Sequence, residues 1–186
     1  MARLWDKYNN QIKKELKESL KLKNIMQVPR LDKMVLNIGC GRASQDKSII
    51  EDAEKVLAKI TGQKPERCKA KNAVAGFKLR EGQPVGCKVT LRGNIMYEFL
   101  DRLINIAMPS VKDFRGIHRK LDGRGGYALG WKDHSIFPEI NFDDVKNTFG
   151  MDICFVTTAK TDDAGFALLE KLGLPFKKNK LGGISG

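Results

Sequence analysis

The chain has 186 residues, 41% of them hydrophobic, and its 34 Lys and Arg against 22 Asp and Glu give a formal net charge of +12. That apolar share can fill a core and excludes wholesale disorder. A surplus of positive charge this large repels itself unless a polyanion is a regular partner, which points to nucleic acid or an anionic membrane surface. No apolar run approaches the roughly 20 residues of a membrane-spanning helix, and residues 1–7 lack the apolar stretch of a secretory signal, so a cytoplasmic location and no membrane partner are expected. Cys40, Cys68, Cys87 and Cys154 form no C-x-x-C pair, and the only histidines are His118 and His134, so the expectation is reduced core thiols and no metal site.

Residues 2–22 read as an amphipathic helix, with Leu4, Tyr8, Ile12, Leu16 and Leu20 recurring every four positions. Pro29 ends that pattern. Leu31 to Ile38 then alternates as a half-buried strand, with Met34, Leu36 and Ile38 on one face and Lys33, Val35 and Asn37 on the other. A second helix spans 46–61 and is stopped by Gly62. An edge strand follows near 67–71, and after a loop the run Val85 to Arg92 alternates again. Asn94 is the expected cap of a third helix that turns Met96, Phe99, Leu100, Leu103 and Ile106 inward. Residues 110–126 read as loop, with short strands near 127–131 and at 151–158 and a last helix capped by Thr161. The expected fold is α+β: a mainly antiparallel sheet with helices on one face and an exposed polar face, in a single domain over 1–176 with a flexible Lys/Gly tail at 177–186.

Charge is concentrated. Residues 63–92 carry eight basic and two acidic side chains, whereas 133–176 carry three basic and eight acidic. The second stretch fits either a basic protein partner or a solubilising surface. Three constellations stand out against this background. If the strands at 31–38 and 85–92 share a sheet, Lys33, Asn37, Lys88, Thr90 and Arg92 gather on one surface, with Gln63 at the rim. Lys and Arg neutralise phosphate, while Asn, Gln and Thr bond sugar hydroxyls and base edges. A merely solvated sheet face is the plain alternative. The loop 71–84 is too long for an ordinary hairpin, is basic and holds one aromatic; it reads as a flexible arm with Phe77 at its tip for a second RNA, or as a disordered excursion. Arg115 and Arg124 lie among glycines that allow close approach to a phosphate chain, or else form a protein-docking loop.

Catalysis is not supported. Gly39-Cys40-Gly41 lacks the third glycine of a dinucleotide fingerprint, since Ser44 stands there, and no G-x-x-x-x-G-K-[ST] occurs. No nucleophile is arranged with a histidine, and Asp143-Asp144 sits in an acidic stretch without partners for acid–base work. No enzyme activity, cofactor or small-molecule substrate is expected.

Several motifs stand in order: Gln27-Val28-Pro29-Arg30-Leu31, Thr61-Gly62-Gln63-Lys64-Pro65, Ala75-Gly76-Phe77-Lys78-Leu79-Arg80-Glu81-Gly82, Lys88-Val89-Thr90-Leu91-Arg92-Gly93, Asp113-Phe114-Arg115-Gly116 and Ile136-Phe137-Pro138-Glu139-Ile140. Over about residues 2–176 the chain closely resembles the bacterial-type large-subunit ribosomal protein five family. It departs from that family's usual pattern at Leu121, Gly126 and His134. The resemblance implies a ribosome-bound structural protein that binds 5S ribosomal RNA and helps attach it to the central protuberance, beside large-subunit ribosomal RNA and neighbouring 5S-associated proteins. It implies 5S RNA contacts at Asn37, Gln63, Thr90 and Arg92, with Lys33 and Lys88 beside them by the alternation. It also implies a loop at 72–82 (Asn72, Ala75, Gly76, Phe77, Lys78, Arg80) that reaches transfer RNA in the peptidyl site. A region at 110–146, including Arg115, Arg124, Asp143 and Asp144, would bridge to a basic protein of the small-subunit head. A basic RNA chaperone acting off the ribosome is the alternative.

Overall fold

The computed structural model describes residues 2–41, 48–140 and 147–177. The expected tail, but for Lys177, and the pair Asp143-Asp144 lie outside the described residues.

The N-terminal rod consists of α1 (Arg3–Lys7), a π-helical turn (Tyr8–Ile12) and α2 (Lys13–Ser19). The four-residue spacing of its apolar side chains explains the wide turn. Four residues of a regular α-helix overshoot a full turn by about 40°, so Leu4, Tyr8, Ile12 and Leu16 would wind around a straight helix. One π turn takes up that drift, and all four side chains are buried. A second π turn (Leu103–Ala107) follows α4 (Gly93–Arg102), closed by the Met108 amide bonding Leu103 O at 2.9 Å. It shifts the phase by one residue: Ala107 and Met108 are buried, while Ile106, expected inside, is 44% exposed. Nor does Asn94 cap α4. The N-cap position falls at Arg92 and carries no side-chain bond.

Five strands form one antiparallel sheet in the order β2-β3-β1-β5-β4. They are β1 (Leu31–Gly39), β2 (Glu66–Lys69), β3 (Pro84–Leu91), β4 (Tyr127–Trp131) and β5 (Met151–Thr157). Between β1 and β2 lies α3 (Ser48–Thr61), ended by Gly62 in the left-handed conformation; α5 (Asp162–Leu172) follows β5, with the Thr161 hydroxyl accepting the Ala164 amide. Met34, Leu36 and Ile38 of β1, Cys87, Val89 and Leu91 of β3, and Ile153 and Phe155 of β5 all point into one buried layer. The Cys87 thiol touches Ile50 O at 3.8 Å, which sets α3 on that side of β3. Arg67 on the same side is clamped to Glu54 of α3 at 2.7 and 2.9 Å. The helices therefore cover one face of the sheet, as the alternation predicted. Among the described residues no helix is long and apolar enough to cross a membrane.

The π-turn geometry separates two apolar side chains that sequence periodicity treats alike. Leu16→Ala should cost about 2–5 kcal/mol in a denaturant melt, the range for a fully buried leucine. Ile106→Ala should change stability by about 0.5 kcal/mol or less. Equal losses would mean that the second helix keeps a regular phase.

Candidate nucleic-acid interface

The uncovered face is built by pairing. Val35 stands opposite Thr90 and Asn37 opposite Lys88 across β1 and β3, while Lys88 stands opposite Glu66 across β3 and β2. On the other flank Asn37 faces Asp152, and Val35 faces Cys154. Lys33, Asn37, Lys88 and Thr90 are half-buried and Arg92 is exposed. Arg92 keeps extended backbone beyond the end of β3, so the outward alternation of Lys88 and Thr90 reaches it. Thus the five sheet residues singled out in the sequence are brought to one surface that no helix among the described residues covers. Gln63 is exposed at the turn between α3 and β2, held by Thr61, whose hydroxyl accepts the Gln63 amide at 3.3 Å.

The face is less uniformly basic than the sequence suggested. Lys88 is ion-paired to Glu66 at 3.3 Å, with the lysine side chain half-buried and the glutamate largely in water. An exposed pair of this kind is worth at most about 1 kcal/mol, so a phosphate can displace the carboxylate at little cost. Asp152 stands exposed beside Asn37, and the β5–β4 half offers small or apolar groups: Cys154, Val156, Ala128 and Gly130. Only the strand order shows that β5 flanks β1, with β4 beyond it at the edge. The result is a basic half on β3 and β1 beside a half of small and apolar side chains that carries the single exposed carboxylate of Asp152 among its described strand residues.

The loop between β2 and β3 is not the flexible arm expected. Ala70 and Gln83 continue the ladder, with the Ala70 amide on Gln83 O at 2.8 Å. Farther out Val74 and Leu79 exchange amide bonds at 3.0 and 3.1 Å around a 3-10 turn at Ala75–Phe77, and Lys78 adopts the left-handed conformation. The hairpin is therefore pinned at its base and at its tip. Asn72, Ala75, Gly76, Lys78 and Arg80 are exposed along it, and Phe77 is 77% exposed at its end. A preformed tip loses less conformational entropy on binding than a disordered loop would.

The glycine-rich loop at 122–126 also departs from expectation. Its amides do not face outward for a phosphate. Those of Arg124 and Gly126 bond the Asp122 carboxylate, both at 2.8 Å, and those of Gly123 and Gly125 bond Asp162 at 3.2 and 2.9 Å. Gly125 has φ +78°, and a Cβ there would meet Ala159 Cβ at 2.7 Å. A Cβ on Gly165 would meet Gly125 O at 2.5 Å. The glycines thus serve to seat the loop against the start of α5, and only the exposed side chains of Arg115 and Arg124 remain for a partner. The sequence reading of the last helix rested on Thr161 and gave Asp162 no role, so this pairing was missed.

Cys40, Cys87 and Cys154 have thiols pushed up by burial, Cys87 to about 11, which leaves them protonated and unreactive near neutrality. His134 is buried, with Nδ1 accepting the Phe149 amide at 3.1 Å. Among the described residues no group of three or more His, Cys, Asp or Glu is placed to hold a metal ion.

The described residues thus form an α+β protein with one half-basic sheet face that no described helix covers, and with a preformed basic hairpin at its edge. Family models carry this further: "Ribosomal protein L5" matches residues 24–80, and the model of the same family's C-terminus matches 84–176. The large ribosomal subunit protein uL5 of Natranaerobius thermophilus is 51% identical over 177 residues, covering 95% of this chain and 99% of the relative. The uL5 proteins of Psychrobacter cryohalolentis (53% over 178 residues; 95% and 100% covered) and Prosthecochloris aestuarii (52% over 179; 96% and 91%) are similarly close. The chain belongs to the ribosomal protein L5 family, a family of structural ribosomal proteins and not of enzymes.

Asp122 gives a pH test of the loop. Its carboxyl is held below the usual range by the Arg124 and Gly126 amides. A folded-state value below the unfolded one means the stabilisation is complete above the ordinary carboxylate pKa of roughly 3.9 and is lost as pH falls through the lower folded value. Protection of the Arg124 and Gly126 amides, measured against their intrinsic exchange rates, should therefore fall only in that acid window, and Asp122→Asn should remove the acid dependence there. An unchanged acid profile in the variant would show that the bonds do not hold the loop.

Proposed function

We propose that this chain is a structural component of the large ribosomal subunit, bound to ribosomes in the cytoplasm, that grips 5S ribosomal RNA with the open face of its sheet and helps to attach that RNA to the central protuberance. The observation that carries the reading is the meeting of Lys33, Asn37, Lys88, Thr90 and Arg92 on adjacent strands of an uncovered face, in a chain of the ribosomal protein L5 family. The cations take the phosphates, Asn37 and Thr90 supply hydrogen bonds to ribose and base edges, and Gln63 adds a polar group at the rim. The basic half lies toward β2 and β3, so the RNA strand crosses there and its sugar edge rests on the half of small and apolar side chains.

The pinned hairpin presents Phe77 with Lys78 and Arg80 as a stacking and phosphate-binding tip for transfer RNA in the peptidyl site. Arg115, Arg124 and the acidic pair Asp143-Asp144 belong to the region proposed to bridge to a basic protein of the small-subunit head. The remaining basic surface meets large-subunit ribosomal RNA and neighbouring 5S-associated proteins.

Asn37→Ala with Arg92→Ala should lower the affinity for isolated 5S RNA by at least about tenfold and flatten its salt dependence by about one unit of log–log slope, with the fold intact by amide spectra. Unchanged binding removes the sheet-face site. Retention on large subunits through a high-salt wash distinguishes a subunit component from a chaperone acting off the ribosome.

Phe77→Ala should leave thermal stability within about 0.5 kcal/mol and 5S RNA binding intact, while weakening crosslinking to peptidyl-site transfer RNA in assembled ribosomes. A loss of stability with normal crosslinking would make Phe77 a structural side chain.

A further inference from the structure

Two grooves, of 460 and 560 Å³, meet at the turn before β1 and share Met26, Val28 and Thr158, so they form one furrow. The N-terminal rod and its exit wall one side with Trp5, Lys13, Leu20 and Leu22, and the turn from Thr158 to Ala164 walls the other. Where the lobes join, Met26 is 79% exposed, with Ile25 beside it also exposed. The turn carrying Met26 is fixed: Asn24 Oδ1 accepts the Met26 amide at 3.0 Å, and the Gln27 amide bonds Asn24 O at 3.1 Å. A methionine held out into water by a capped turn contributes almost no burial to folding, and unbranched, polarisable methionine suits contact with varied apolar partners.

The furrow's electrostatics are one-signed. Lys13, Arg30 and Lys160 line it and no Asp or Glu does. None of these three cations is ion-paired among the described residues. Two occupants fit badly. A nucleobase needs a free aromatic platform, but Trp5 already packs against Tyr8 and Tyr97 with ring centroids at 6.2 and 5.1 Å, and most of the remaining wall is aliphatic. A second copy would set cationic rim against cationic rim in chains that each carry +12. A segment that is apolar on one side and acidic on the other satisfies both the wall and the rim.

We propose that the furrow is a docking site for an acidic amphipathic helix of another protein, with its apolar side chains seated on both sides of Met26 and its carboxylates on Lys13, Arg30 and Lys160. The furrow shares no lining residue with Lys33, Asn37, Gln63, Lys88, Thr90 or Arg92, so the site stands whether or not the open sheet face carries RNA.

The test uses the full chain and a fluorescein-labelled synthetic helix with leucines at i, i+3, i+4 and i+7 and glutamates on its other faces. A scrambled peptide of the same composition and an oligouridylate serve as competitors. Saturable binding is expected, with amide shifts at Leu22, Met26 and Ala164, and with the scrambled peptide at least about tenfold weaker. Met26→Glu should weaken binding at least about tenfold, and Met26 is exposed enough for that variant to fold normally. Absence of binding, equal binding by the scrambled peptide, or indifference to Met26→Glu overturns the proposal. Displacement of the peptide by oligouridylate with shifts at the same three amides would make the furrow an RNA groove and overturn it equally.

Discussion

Everything in this molecule depends on β1 having two unlike faces. At the centre of the sheet it pairs antiparallel with both β3 and β5. Met34, Leu36 and Ile38 enter the layer shared with the helices, and Lys33, Val35 and Asn37 are left outside. A slip of one residue would put Lys33 and Asn37 in the core and three large apolar side chains in water, so the register that makes the core also makes the polar face. The same constraint passes through the pairing to β3, where Cys87, Val89 and Leu91 go in while Lys88 and Thr90 go out.

One-sided covering lets the proposed binding surface do without a cavity. The rod, α3, α4 and α5 together bury one side, and among the described residues no helix covers the other. Thr90, Val35 and Cys154 form a low centre across three strands, with charged groups placed toward the β2–β3 flank. The β2–β3 hairpin extends from that same flank, pinned twice along its length, so that Phe77 is held away from the body instead of folding back on it. The wide turns in the rod and after α4 serve the other layer. They keep apolar stripes aligned that a regular helix would let drift.

Much of this was legible in the sequence because it follows from periods of two. The strands at β1 and β3, their inward and outward residues, the edge position of β2 and the helical side of the sheet all come from alternation and turn residues. The family followed from motifs in order. What stayed illegible depends on contacts between distant segments. Lys88 looked free because nothing local announces Glu66 across the hairpin. The Gly123–Gly126 amides looked available because Asp162 lies 37 residues from Gly125. Ile106 looked buried because periodicity assumes a regular helix, and the π turn that breaks it is set by packing. The furrow at Met26 was hidden for a similar reason: its two walls come from opposite ends of the chain.

Crosslinking of the protein to 5S RNA, with the attached peptides read by mass spectrometry, tests the central claim most directly. The one-sided sheet predicts crosslinks on outward residues of β1 and β3, centred on Asn37, Lys88 and Arg92, with the inward strand residues and the helical layer protected. Crosslinks confined to the rod, α3 or α5, with β1 and β3 untouched, would contradict it.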